Sequence, residues 1–327
     1  MKIIYIFLLL SIFSLNNLFA KNIGIAWVGK SSMQDRALKG FLLQMKILKS
    51  DFNIEIKKEL KSVEELKVLA MKWNKEKDGM VLLRSTAAKM LSTTKTDIPT
   101  FIGGTNHPIE LGTVKNFMKP EGNITGVTYY IDKKTTLTMI KILIPDLKSV
   151  MFIGEKDHPS TPLEQKETQQ LSKEMFHIEY YEYISDNIDL ILEEIKNKKD
   201  RVSAIILGNQ ALVFDNAGII TKTAGNTPVF AYSKGSISNG ALAGYVADDI
   251  KLGRELANSV YSVLYHNKKI KDIPIKIDKK PIFYVNKSTL KRLNIRIPYR
   301  LESKVQYVKE SKSTPSPNSS NTYLPHQ

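Results

Sequence analysis

The chain has 327 residues, 42% of them hydrophobic, a formal net charge of +15 and no cysteine. That length and apolar content suffice for two lobes with separate cores. The missing cysteine excludes disulfides, thiolate metal sites and cysteine nucleophiles. The 48 Lys and Arg residues are scattered, with no arginine-rich stripe interleaved with aromatics, so they read as a solvated surface and nucleic acid is not an expected partner.

The opening "MKIIYIFLLLSIFSLNNLFA" runs from a lysine through an apolar stretch to Ala20. This is the order of a secretory signal, and a cleaved signal peptide is expected over residues 1–20. The apolar run is short for a span of ~20 residues and is broken by Asn16 and Asn17. With no cysteine at the cut, a lipid anchor is not expected. The remaining chain is then a soluble periplasmic protein.

From Lys21 onward, strand-like and helix-like segments alternate. "NIGIAWV" is a β-prone run, and Met33 to Leu48 places Leu38, Phe41, Leu42, Met45 and Leu48 on one helical face. "FNIEI" follows, then "SVEELKVLAMKWN", whose Ser62 and Glu65 have the spacing of a capping box. "GMVLLR" reads as a strand, Ser85 and Thr86 start a helix reaching Leu91, and "IPTFIG" is a fourth strand. The second half repeats the rhythm: helix "TTLTMIKIL", strand "SVMFIG", helix 162–176, strand "IEYYEY", helix "NIDLILEEIKN", strand "VSAIIL", helix "LVFDNAGIITKTA", strand "TPVFAY". Such alternation predicts α/β lobes built on parallel sheets covered on both faces. It pauses between Gly103 and Tyr130, where "KPEGNITGVTYY" carries Gly122 and Gly126, and again at "SKGSISNGALAGYVADD". The pauses predict segments crossing between lobes, with the glycines as a hinge. "GNITG" lacks the G-x-x-x-x-G-K-[ST] pattern of a phosphate loop. The expected division is 21–127 plus 247–270 for lobe 1, 128–246 plus 271–302 for lobe 2, and a disordered, Ser/Pro/Asn-rich tail over 303–327.

Several stretches together resemble a family. "IPTFIGGTNHPIELGTVKNFMKPEGNITGVTYY", "GALAGYVADDIKLGRELANSVYSVL" and "VNKSTLKRLNIRIP" follow, in order, motifs of ABC transporter substrate-binding proteins related to those for tryptophan and tyrosine. The resemblance spans about Ile23 to Pro298. It implies a two-lobed type I periplasmic-binding-protein fold with hinge crossings. It also implies a small-molecule ligand, an ABC permease and its ATPase as partners, a monomer and no cofactor. The chain departs from the family pattern at Arg84, where a small residue is usual, and at Asn106-His107 and Asn209, where the family often has aspartate. A ligand-binding sensory module facing a membrane receptor is the alternative.

In open α/β sheets ligands sit at the carboxyl ends of strands, near helix N-termini that suit anions. The corresponding loops offer Trp27, Lys30 to Ser32, Arg84, Ser85, Thr86, Thr105 and Asn106 in the first lobe. The second offers Asp157, Ser160, Thr161, Asn209, Tyr232 and Ser233. Tyr129, Tyr130, Tyr245 and Asp248 lie near the crossings. Arg84, directly after a buried run, meets either an internal acid or a ligand carboxylate, and Trp27 either packs in the core or stacks on a flat ligand, the reading favoured by its place before a polar turn. The aspartate missing at Asn209 leaves a ligand ammonium group without its family partner unless Asp157 or Asp248 replaces it. His107 and His158 have no i, i+4 partner, so no metal site is expected. No G-x-S-x-G, H-E-x-x-H or paired-acid motif points to catalysis, and a small carboxylate-bearing ligand, with an aromatic amino acid favoured by the resemblance, is the expected cargo.

Overall fold

The computed structural model describes residues 20–308. Apart from Ala20, the expected signal peptide lies outside the described residues, as does the expected tail beyond residue 308. The first lobe is built from β1 (Asn22–Val28), α1 (Ser32–Ile47), β2 (Asn53–Leu60), α2 (Val63–Glu76), β3 (Gly79–Leu83), α3 (Ser85–Leu91), β4 (Thr100–Thr105) and β5 (Ile124–Thr128). Their strands form a parallel sheet in the order β2-β1-β3-β4-β5. The local rules behind these elements are visible. Ser31 accepts from Gln34 N–H at the start of α1. Ser62 accepts from Glu65 N–H at 3.1 Å, while Glu65 reaches back to the Lys61 N–H at 2.7 Å. The two serines each satisfy an orphan donor of a first turn, and Glu65 ties down the residue before the cap.

The chain then crosses into a second lobe of α4 (Lys133–Leu143), β6 (Ser149–Glu155), α5 (Thr161–Glu174), β7 (Glu179–Ser185), α6 (Ile188–Lys198), β8 (Ala204–Leu207), α7 (Ala211–Asp215), α8 (Ala217–Ala224), β9 (Val229–Phe230), α9 (Lys234–Ser238) and β10 (Ala243–Val246). The helix expected over 212–224 is broken at Asn216, which joins α7 and α8 and whose amide donates to the Leu212 carbonyl at 2.9 Å. After β10 the chain returns to the first lobe for α10 (Asp249–Leu264) and β11 (Lys276–Ile277), which pairs with β5. It crosses back for β12 (Ile282–Asn286), α11 (Lys287–Arg292), α12 (Tyr299–Glu302) and β13 (Val305–Val308). The second sheet runs β13-β12-β10-β9-β8-β6-β7, with β12 antiparallel to β10 and the other pairs parallel.

Three segments, 129–132, 247–248 and 278–281, therefore cross between the sheets. Two boundaries differ from expectation. Because β11 completes the first sheet, the second visit to lobe 1 extends beyond residue 270 to Ile277. Because β13 pairs with β12, residues 305–308 belong to the second sheet and not to a disordered tail.

Each sheet is covered on both faces by apolar clusters. In the first lobe Ile23, Ile25, Trp27, Phe41 and Leu256 share one face, and Leu66, Trp73, Leu82 and Ile102 the other. Phe152, Ile206 and Phe283 in the second lobe oppose Ile153, Ile205 and Ile220. At roughly 1.5–3 kcal/mol per fully buried large apolar side chain, these clusters hold the lobes as separate bodies joined by the crossings. Gly126 is not a hinge. It lies inside β5 at φ 149°, and a side chain there would collide with the Ile102 backbone of β4.

Candidate functional site

The carboxyl ends of the strands in the two lobes face one another across a cleft of about 310 Å³. The first lobe supplies Lys30, Ser32, Gln34, Arg84, Ser85 and Tyr129. From the second come His158, Asn209, Phe214, Asp215, Ser233 and Ser236. A smaller void of about 20 Å³ lies next to it, lined by Asn106, Tyr130, Lys133, Asn209, Tyr232 and Asp249.

Arg84 sits where β3 ends and α3 begins. Its backbone adopts φ 82° and ψ 160°, a combination that L-residues rarely adopt. The guanidinium donates to the Val28 carbonyl at 2.6 Å. Among the described residues no carboxylate lies within ion-pair distance of it. Ser85, 1% exposed, accepts from the Asn106 N–H at 3.0 Å and lies 3.5 Å from the Tyr129 hydroxyl. Burial pushes that phenol up to about 12, so it remains a neutral donor.

Across the cleft, Asp215 carries a carboxyl raised by burial and drawn back down by Arg84. Two buried amide oxygens also have no hydrogen-bond partner among the described residues, Oε1 of Gln34 in the first lobe and Oδ1 of Asn209 in the second. Leaving such acceptors unpaired costs roughly 1–3 kcal/mol each. Donors on a ligand would satisfy both.

Below the cleft a polar knot joins the lobes. Glu164 on α5 is fully buried. It accepts from the Asn106 side chain at 2.7 Å and from the Asn209 N–H at 2.9 Å, with Lys133 at 3.5 Å. Lys133 stands 3.9 Å from the Tyr232 ring. Its burial opposes the charge, but Glu164 and Tyr232 outweigh this and raise the amine above its ordinary value. Tyr130 donates to Glu167 at 2.8 Å, and Glu167 is raised chiefly by burial. In the first lobe Asp249, at the start of α10, pairs with Arg36 at 2.8 Å.

Of the residues expected from the sequence, the cleft and its adjoining void bring together Lys30, Ser31, Ser32, Arg84, Ser85, Asn106, Tyr129, Tyr130, Asn209, Tyr232 and Ser233. The others lie elsewhere. Trp27 is fully buried in the first-lobe core, because alternation along β1 puts it on the same face as Ile23 and Ile25, under α1 and α10. Thr105 is fully buried in β4, and Thr86, one residue beyond Ser85, does not line the cleft. Asp157 is exposed on the turn after β6. Ser160 is buried against His158 and Gln210, and Thr161 donates to the Glu155 carbonyl at 2.7 Å. Tyr245 packs on Phe283, and Asp248 caps α10 through the Lys251 N–H. Neither Asp157 nor Asp248 lines the cleft; among the described residues that do, Asp215 is the carboxylic acid. Gln34, His158, Phe214, Asp215 and the Arg36–Asp249 pair were not read as site residues. Asp215 sat in what looked like a continuous helix, and only the break at Asn216 sets it at a loop end.

Two mostly parallel sheets flanked by helices, joined by three crossings and closed around a polar cleft, define a type I periplasmic-binding-protein fold. The chain belongs to the ABC transporter substrate-binding protein family, whose model matches residues 32–309. A tyrosine-binding protein of Clostridioides difficile (strain R20291) is 26% identical over 307 residues, covering 90% of this chain and 87% of the relative. Among solved structures, an ABC domain from Streptococcus pneumonia in complex with L-Trp superposes with a TM-score of 0.76 at 18% identity, covering 87% of this chain and 99% of that one. The ligand-free, open structure of a substrate-binding protein with adhesive properties from Clostridium difficile gives 0.73 at 21% identity, over 89% and 99% of the two chains. At these identities the structural likeness concerns the fold. The family and these relatives are binding proteins, and the chain is a binding protein rather than an enzyme. As a member of the family it binds a small molecule and works with an ABC permease. Such proteins are typically extracytoplasmic. Among the described residues no helix is long and apolar enough to cross a membrane.

Proposed function

We propose that the chain is the periplasmic, monomeric substrate-binding component of an ABC importer, exported by its amino-terminal signal, and that it closes on a small amino acid-like ligand with a free carboxylate. The observation that carries this reading is Arg84, a cleft-facing guanidinium on a strained backbone with no carboxylate partner among the described residues. A ligand carboxylate would complete it with charge-assisted hydrogen bonds, with Ser85 beside it. The ligand's ammonium group would find Asp215 and the unpaired oxygens of Gln34 and Asn209, which replace the aspartates of the family pattern. Met33, Tyr129 and Phe214 offer apolar surface for a side chain, consistent with an aromatic amino acid of the kind named for two of the relatives. Contacts to both lobes stabilise the closed form that the permease, powered by its ATPase, accepts.

A thermal-shift screen of amino acids, small carboxylates and neutral sugars tests the reading. A ligand at ~100 times its dissociation constant adds ~2.7 kcal/mol of stability. The expected hit is a carboxylate-bearing compound whose effect disappears in Arg84→Ala. Stabilisation by sugars alone, undiminished in that variant, would contradict it.

A further inference from the structure

We propose that His158 is the second-lobe hydrogen-bond donor to the same ligand anion that Arg84 holds from the first lobe, so that the anion bridges the lobes. The inference rests on the reading that Arg84 receives the ligand's carboxylate. His158 follows β6 and lines the cleft together with Arg84.

Its tautomer is set by its neighbours. The Ser160 backbone N–H, which can only donate, is directed at His158 Nδ1 from 3.3 Å. The Ser160 hydroxyl lies 2.9 Å from the same nitrogen. That hydroxyl accepts from the Gln210 amide at 3.3 Å, which leaves its own proton to donate toward the ring. Nδ1 is therefore the acceptor, and the proton of the neutral ring sits on Nε2. Adding a proton to Nδ1 would set it against the Ser160 N–H. Burial, and then the charge of Arg84, lower the ring to about 4, which keeps it neutral at physiological pH.

Among the described residues no acceptor is bonded to Nε2. The cleft thus presents two donors of different charge on opposite lobes, a guanidinium on the first and a neutral N–H on the second. Ser160, fully buried, fixes the ring from behind. An anion touching both would favour the closed arrangement, because only closure offers the two donors together.

The test uses acetate as the probe, titrated into protein carrying ¹⁵N-histidine, in the wild type and in His158→Ala, His158→Gln and Arg84→Ala. The wild-type spectrum should show the Nε2–H tautomer at His158, and acetate should move that resonance. His158→Ala should weaken acetate binding by roughly 10- to 100-fold, the range of one hydrogen bond to a charged acceptor. His158→Gln, which keeps an N–H donor, should recover part of the loss. An Nδ1–H tautomer overturns the proposal. So does acetate binding that depends on Arg84 but is unchanged in His158→Ala, an outcome that leaves the role of Arg84 standing. Acetate that does not bind, or that ignores both substitutions, overturns the bridge and the Arg84 reading together.

Discussion

Arg84 holds a backbone conformation, φ 82° and ψ 160°, that costs a residue with a Cβ roughly 1–3 kcal/mol. The guanidinium's bond to the Val28 carbonyl offsets part of that strain and fixes the head group at the cleft. Arg84→Gly and Arg84→Ala both remove the guanidinium, but only alanine keeps the strain. The glycine variant should therefore be more stable than the alanine variant by roughly 1–2 kcal/mol in urea denaturation, while both lose ligand binding. Equal stabilities would show that the backbone is not strained there. Asp249 makes a second residue-level case. Burial, opposed by Arg36, holds its carboxyl up at about 6. Between about pH 4 and 6 the folded state therefore binds more protons than the unfolded chain, and this group's contribution to stability is lost as pH rises through about 6. Asp249→Asn cannot titrate, so its stability relative to the wild type should rise from pH 4 to pH 7, by on the order of 2 kcal/mol. A difference that stays constant with pH would sink this account. Arg84 was legible as a charge directly after a buried strand. The Arg36–Asp249 pair was not, because its members are 213 residues apart and meet only when α10 returns to the first lobe.

At the scale of elements, the strand and helix rhythm was readable because each element buries an apolar face or stripe and carries its own cap, as Ser62 and Glu65 do. Close approaches between elements were not readable. The hinge expected at "GNITG" is instead strand β5, and the crossing begins only at Tyr129. Gly126 allows β4 and β5 to pair next to the bulge at Gly103 and Gly104, since a Cβ would meet the Ile102 carbonyl. Gly126→Val should therefore destabilise the first lobe by roughly 3 kcal/mol or more, rather than tune affinity. Thermal melts decide between the two: a variant with unchanged melting temperature and altered affinity would restore the hinge. The motif glycine Gly253 has a similar basis. It faces the Ala37 backbone on α1, while Gly40 faces Ile250 on α10, so the helices touch main chain to main chain.

For the whole molecule, the two lobes and their cleft followed from the alternation and its pauses, whereas the cleft's composition depended on which loop ends face each other across it. Trp27 shows the limit. A tryptophan at a strand end looked suited to a ligand, but β1 is covered on both faces and places it in the core. Closure is expected to involve the crossings at 129–132, 247–248 and 278–281, with solution scattering showing a smaller radius of gyration when ligand is bound. Binding without compaction would remove closure from the account. The central claim is that the cleft recognises a carboxylate through Arg84, and a calorimetric titration of one matched pair tests it most directly: L-tyrosine or L-tryptophan, whichever the screen finds, against its decarboxylated amine. The amino acid should bind and the amine should bind at least tenfold more weakly, a loss of at least ~1.4 kcal/mol. In Arg84→Ala that preference should disappear. Equal affinity of the wild type for the acid and the amine, or failure to bind any carboxylate alongside tight binding of a neutral sugar, would contradict it.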